Sequence, residues 1–283
     1  MFFVCMSLII NADDLGYSSE RDAGIFHAFE CKAITAASLI VNGPSAESAA
    51  KKAKEVGLYL GMHLNLTEGK SLSGPSAITT DKNLLYYKCE FWKLIDHSVA
   101  DLADAIHDET SAQMERFKTL TGSYPKHVDG HQHVHIFPGM PDILAPIFKE
   151  YGVLSVRIPD EDVENYAWLS AERKARYESR FPTCLRARLV YRKEGIRAPE
   201  CFIGLGLMGK DMNRERFFET LSGAFGTIEW MVHPGYPRKG SRNFFADLFD
   251  SSSEREHELK VLKGLSHNLT LTDWSHYELM SYQ

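Results

Sequence analysis

"HVDGHQHVHIF", residues 127–137, places a histidine or an aspartate at every second position: His127, Asp129, His131, His133 and His135. Successive side chains of an extended strand alternate between its faces, so this spacing predicts that all five point the same way. Val128, Gly130, Gln132, Val134 and Ile136 would take the other face, which is small and mostly apolar. Four of the chain's twelve histidines fall in this window, which argues against scatter. One reading is a surface strand with a polar face. The other is a buried strand whose end carries a metal site, and that reading needs partners elsewhere in the chain.

The surroundings supply a frame for it. Apolar runs of strand length recur at 2–12, 34–43, 58–66, 126–136, 154–159, 201–207 and 228–235, with a weaker one at 268–274. Segments of helical character separate them, at 18–32, 45–57, 100–122 and 140–152. The first opens on Ser18 or Ser19 as cap, and the others stop at Gly57, Gly122 and Gly152. A strand–helix alternation predicts an α/β fold with a mostly parallel sheet, open or closed. With 283 residues, 44% of them hydrophobic, no repeats and no low-complexity linker, one domain spanning 1–283 is the economical expectation.

Two stretches break the alternation. Residues 67–92 are rich in Gly, Ser and Thr and then aromatic, too long for an ordinary connection. Residues 172–197 carry nine basic residues, from Arg173 to Arg197, against Glu172, Glu178 and Glu194. A solvated helix face is the plain reading of the second; a substrate-facing insertion or a subunit contact is the alternative.

Bulk properties narrow the function. A formal net charge of −6 leaves no electrostatic footprint for nucleic acid. Five widely spaced cysteines without a CxxC pair argue against a disulfide framework and for a reducing compartment. The apolar start "MFFVCMSLII" has no basic leader and runs directly into "NADDLG", so it reads as a first strand and not a signal peptide. No run approaches the ~20 apolar residues that span a bilayer. The expectation is a cytoplasmic protein without a membrane or nucleic-acid partner. "NLT" at 65–67 and 268–270 matches glycosylation sequons, and modification at Asn65 would crowd the residues considered next.

The strands share a pattern: each ends in polar or small residues. "NADD" follows the first, "NG" the second, "HLNL" the third, and "HPGYP" the run at 228–235. Carboxyl ends of parallel strands converge on one face of an α/β fold, and sites are built there. Asp13, Asp14, His63, Asp129, His131, His133 and His233 can therefore meet although 220 residues separate the first from the last. Asn42 and Asn65 sit at the ends of strands two and three, where they can bond a substrate or hold a turn. Tyr236, just after His233, is placed to line a cleft, whereas Tyr86, Tyr87, Phe91 and Trp92 offer either a sugar platform or a cap on the core.

"NADDLGYS", "GMHLNLTEG", "HVDGHQHVHIFPG" and "VHPGYP" resemble, in order, the four signature blocks of the YdjC family of carbohydrate deacetylases, which includes the bacterial chitooligosaccharide deacetylase. The similarity runs from about residue 8 to 237, and "DGHQHVH" is closer to the eukaryotic wording than to the bacterial "DSHHHVH". The resemblance implies an irregular (β/α) barrel and one divalent metal ion, magnesium or zinc. It implies Asp14, His63 and His131 as ligands, Asp13 as general base and His233 as acid or oxyanion stabiliser. It further implies an N-acetylated sugar as substrate, hydrolysed by a metal-activated water, and a homodimer. Asp129 and His133, on the same predicted face as His131, would orient the ligands. Chemistry is consistent with this set: three protein ligands leave positions for water and substrate, and the bound water's pKa falls from ~15.7 to near 7. Two nitrogens and one oxygen favour zinc by ligand type, although the family is also described with magnesium. The rival readings are another single-metal amidohydrolase or phosphoesterase on the same barrel, and a sugar-binding protein without turnover. For phosphate, only "GLGLMGK" (204–210) offers a glycine-rich loop, and it lacks the P-loop spacing.

Overall fold

The computed structural model describes residues 7–238 and 252–265, with Thr272 and Trp274. Seven parallel strands form one sheet, which runs from edge to edge through Ser155–Val156, His127–Gly130, Tyr59–Leu64, Ala36–Leu39, Ser7–Leu15, Thr227–Val232 and Cys201–Ile203. In chain order these are β1 (Ser7–Leu15), α1 (Ser19–Glu30), β2 (Ala36–Leu39), α2 (Ala46–Val56), β3 (Tyr59–Leu64), α3 (Lys88–Ser98), α4 (Ala103–Thr121) and β4 (His127–Gly130). Then follow α5 (Met140–Glu150), β5 (Ser155–Val156), α6 (Ala171–Glu178), α7 (Phe181–Lys193), β6 (Cys201–Ile203), α8 (Arg214–Leu221), β7 (Thr227–Val232) and α9 (Glu254–Leu265). The sheet curls into a half-barrel flanked by helices, the parallel α/β architecture that the alternation predicts. The run predicted at 268–274 lies outside the described residues except at Thr272, whose amide donates to Leu8, and Trp274, which is buried.

The strands are apolar because both sheet faces are covered. Apolar side chains of β1 and β7 are buried whichever face they take: Leu8, Ile9, Ile10 and Ala12 in the first, Ile228, Trp230, Met231 and Val232 in the second. Helices bury one side only. In α2 the buried residues are Ala46, Ala49, Ala50 and Ala53, small enough to bring the helix close to the sheet. Close approach is also what Gly24 provides in α1. A Cβ there would lie 2.3 Å from Gly235 Cα, so this glycine seats the loop after β7 against α1 and carries His233 toward the end of β1.

Both irregular stretches have structure. The 67–87 loop folds back on itself through the bridges Lys70–Leu84 and Thr79–Leu85. Buried Glu109 on α4 pins it, accepting from Ser71 Oγ and from the amides of Leu72 and Ser73 at 2.6–2.9 Å. The basic stretch forms α6 and α7. Arg173 pairs with Asp211, Arg186 with Asp142 and Arg188 with Asp160, so much of its charge is answered on the spot.

Candidate metal centre and its carboxylate network

β1 ends in Asp13–Asp14, and regular strand geometry would send these carboxylates to opposite faces. Asp14 instead has φ 68°, and the register against β2 slips between Ala12 and Leu15. A left-handed aspartate costs on the order of 1–3 kcal/mol and persists only where its surroundings hold it. Here they do. Asp14 Oδ2 receives Arg21 at 2.8 Å and Arg255 at 3.5 Å, while Oδ1 lies 2.9 Å from His131 Nδ1 and 3.3 Å from His63 Nε2. The break turns both carboxylates inward: Asp13 Oδ2 is 4.0 Å from the same His63 Nε2.

Asp14, His63 and His131 each offer a ligand atom, all within 4.8 Å of one another and all buried. One oxygen and two imidazole nitrogens in that compass suit a divalent transition ion. Asp129 completes the arrangement from behind. It is the register partner of His63 on the neighbouring strand, and its Oδ1 lies 2.5 Å from His63 Nδ1. That contact fixes the ring and turns Nε2 toward Asp14. Two further donor groups, Asp13–His63–Asp129 and His127–Asp129–Glu229, share these carboxylates. Arg157 already occupies the second, with Nε 2.6 Å from Glu229 and Nη2 2.9 Å from Asp129.

The electrostatics follow from burial set against these partners. Burial would raise the Asp14 carboxyl, but Arg21 and the two imidazoles outweigh it and hold the group well below the usual carboxylate range. Burial would lower His63, yet Asp129 and Asp13 push it up to about 10. His131 goes to about 9, burial being overcome by Asp14 and Glu68. The carboxylates that attract protons onto these rings attract a divalent cation equally, and the cation competes for the same nitrogens. Asp13 behaves differently. Burial and the neighbouring Asp129 raise its carboxyl against the pull of Arg157 and His63, although Arg157 grips both oxygens at 2.5 and 2.7 Å.

His233 Nε2 lies 3.9 Å from Asp13 Oδ2, and its amide donates to Glu258 at 2.6 Å. Burial, with Arg255, Arg21 and Arg157 nearby, drives its imidazole well below its ordinary value. These surroundings disfavour the charged form of the ring, which bears on the acid or oxyanion role that the resemblance implies for His233.

The strand reading of 127–137 needs correction. β4 stops at Gly130, and His131–Ile136 form 3₁₀ turns in which Gln132 and His133 have φ 55° and 60°. The five alternating side chains therefore do not share a face. His127 stacks on Trp274, with ring centroids 3.5 Å apart, beneath the cluster. His131 joins the centre. His135 turns back to Arg157 O at 2.8 Å. His133 leaves the centre altogether and lies beside Phe202 and His135, so it does not orient a ligand. Gly130 permits the reversal, since a Cβ there would sit 2.4 Å from His135 Nδ1.

The remaining candidates divide the same way. Asn65 and Asn42 bond to each other and to the carbonyl of Glu68; they hold the turn that delivers Glu68, 3.6 Å from His131 Nε2. Tyr236 is not drawn into the cluster: its hydroxyl meets His27 Nδ1 on α1 at 2.6 Å. Phe91 is core, whereas Trp92 is 41% exposed. Residues that sequence reasoning missed are Arg157, Glu229, Glu68, Arg21 and Arg255. Arg157 in "SVRIP" and Glu229 in "TIEWMV" did leave a signal, a lone charge inside an apolar strand, where burial demands a partner.

Residues 7–270 match the model of the YdjC-like protein family. The chain belongs to the YdjC-like family. Mouse and human proteins named carbohydrate deacetylase are 36% and 35% identical to this YdjC-like chain. The alignments cover 93% and 91% of it and 89% and 84% of those proteins. A Salmonella typhimurium chitooligosaccharide deacetylase is 35% identical over 56% of this chain and 61% of its own. Among solved structures, a candidate cellobiose-phosphate cleavage protein of Enterococcus faecalis superposes with TM-score 0.69 over 96% of this chain and 98% of its own. At 20% identity that likeness concerns the fold.

Proposed function

We propose that this chain is a metal-dependent hydrolase that removes acetyl groups from N-acetylated sugars. The observation that carries the reading is the divergent handling of two adjacent carboxylates. Asp14 is turned to two imidazoles at ligand distance, while Asp13 is gripped by Arg157 and kept basic at the rim of the same cluster. Relatives named as carbohydrate deacetylases supply the substrate class.

Asp14 Oδ1, His63 Nε2 and one nitrogen of His131 would hold the ion, magnesium or zinc, and the nitrogen-rich set favours zinc. What the ion supplies when bound is Lewis acidity toward the acyl oxygen and toward water. Asp13 takes the proton from the attacking water at Oδ2 and returns it to the departing amine nitrogen. Arg157 fixes the plane of that carboxylate, and Asp129 fixes the His63 ring. Neutral His233, facing Asp13, donates a hydrogen bond at the acyl end. The reading takes 1–283 as one domain and a homodimer as its assembly. It places the chain in the cytoplasm, in keeping with the free thiols of Cys31, Cys89, Cys184 and Cys201. Among the described residues no helix is long and apolar enough to cross a membrane.

The test is acetate release from short N-acetylglucosamine oligomers by protein stripped of metal and reloaded with Zn²⁺, Mg²⁺ or Mn²⁺. Metal-dependent release that disappears in Asp13→Asn is the expected outcome. One ion bound per chain without acetate release from any N-acetylated sugar would overturn the reading.

A further inference from the structure

A cationic cavity opens beside the candidate centre, and no step proposed above uses its charges. It measures about 330 Å³, the size of a small-ligand pocket. Gln132 and His133, the two residues after His131, help line it, and Gln132 reaches Glu68 at 2.7 Å, which in turn lies 3.6 Å from His131. Trp92 and Phe137, packed edge to face at 4.5 Å, form an aromatic wall. Lys88, Arg176 and Arg180 supply the charge.

No carboxylate lines the cavity among the described residues. Among the described residues Arg176 pairs with exposed Glu172 at 3.4 Å. Lys88 and Arg180 are placed over ring faces, Phe137 at 6.0 Å and Tyr177 at 5.7 Å, and among the described residues pair with no carboxylate. Burial, and then the facing Arg180, lower the Lys88 ammonium to about 8. Two half-buried cations set against each other without a counter-charge are a poor structural device, since like charges repel and burial costs each its hydration. They are an effective receptor for an anion.

We propose that this cavity receives a carboxylate-bearing sugar, so that the substrate is an acidic saccharide with a hexuronic acid unit beside the N-acetylated one. The inference rests on the deacetylase reading. An aromatic wall suits the apolar face of a sugar ring, and the volume suits one unit. The place of the cavity next to His131 puts that unit beside the one at the centre. The side chains themselves would accept either a carboxylate or a phosphate; the backbone around them favours the carboxylate. Many phosphate sites add backbone amides at a helix start to such side chains, and here α7 begins at Phe181–Pro182, where proline removes a donor. A planar guanidinium matches a planar carboxylate with two parallel bonds.

The experiment compares a tetrasaccharide alternating glucuronic acid and N-acetylglucosamine with its carboxyl methyl ester, an N-acetylglucosamine tetramer and N-acetylglucosamine dimer 6-phosphate. Metal-loaded protein should release acetate from the acid form with kcat/KM about ten- to a hundredfold above the ester, the range that one charge-assisted hydrogen bond supports. Arg180→Gln and Lys88→Met should bring that ratio toward one, while Lys88→Arg keeps it. Titration calorimetry on wild-type protein in excess chelator should show the same preference in Kd without turnover. Equal rates and equal affinities for acid and ester would overturn the inference and leave the deacetylase reading intact. A preference for the phosphorylated dimer would overturn the carboxylate assignment. Tighter binding of the acid form with no acetate from any substrate would support the cavity's specificity while the deacetylase reading falls.

Discussion

Asp13 and Asp14 are neighbours in sequence with different partners, so single substitutions should separate their duties. Asp14→Asn removes the anionic ligand, and metal content measured after gel filtration should fall from one ion per chain to near none. Asp13→Asn should keep the ion but lower kcat by about 10²–10⁴, the usual worth of a positioned base. Metal loss in both variants would deny the division of labour. Asp129 carries a pH prediction. Burial opposes its ionisation, but Arg157 and His63 hold its carboxyl well below the usual range. A depressed folded pKa gives stability that is present above the unfolded value, near ~3.9, and is lost as pH falls through the folded value. Urea unfolding of chelated protein should therefore show stability dropping as pH falls below about 5. Asp129→Asn should flatten that limb and cost about 3–5 kcal/mol at pH 7, because Arg157 and His63 lose a buried counter-charge. An unchanged acid limb would show that the network is already satisfied without Asp129.

At the scale of elements, the strand ends were legible and the turn after β4 was not. "NADD", "HLNL" and "HPGYP" mark β1, β3 and β7 because clustered polar groups gather where a strand leaves the sheet, whereas a lone one inside it, such as Glu229, requires a buried partner. In 127–137 the alternation of period two imitates a strand, and nothing in it marks where pairing stops. The left-handed pair Gln132–His133 sets that point, and neither residue advertises it as glycine would. Nor did the sequence mark Arg157 as the hub joining Asp13, Asp129 and Glu229, since its partners are remote in the chain. Gly130 gives the turn a test. Gly130→Ala places a methyl group against His135, so the 3₁₀ segment must shift. We expect a loss of about 1–3 kcal/mol in unfolding free energy and weaker Zn²⁺ binding, because His131 is carried on that segment. Wild-type zinc affinity in this variant would mean that the ligand is positioned by Asp14 and Glu68 and not by the turn.

Across the whole molecule, three charged groups are linked through ion pairs around the ends of β1, β3 and β4. Arg157 and Glu229 form one; Asp13, Asp129 and His63 contact it through Arg157; and Asp14 and His131, with Arg21 and Arg255 on Asp14, follow. A buried ionic assembly of this kind does little for net stability, because desolvation consumes most of its attraction. Its carboxylates are instead arranged where an ion would bind the folded chain and find no assembled site in the unfolded one. Linkage then requires stability to rise with free metal, by about 4 kcal/mol at a thousandfold excess over Kd. Thermal unfolding should move up with Zn²⁺ concentration in the wild-type protein and stay fixed in His63→Ala, whose ring draws together the carboxylates of β1 and β4. His233→Ala should keep the zinc shift, since that residue lies beyond the ligand set. If His63→Ala still gains stability with zinc, the ion binds elsewhere on the chain, and the convergence of strand ends on Asp14, His63 and His131 serves the fold alone.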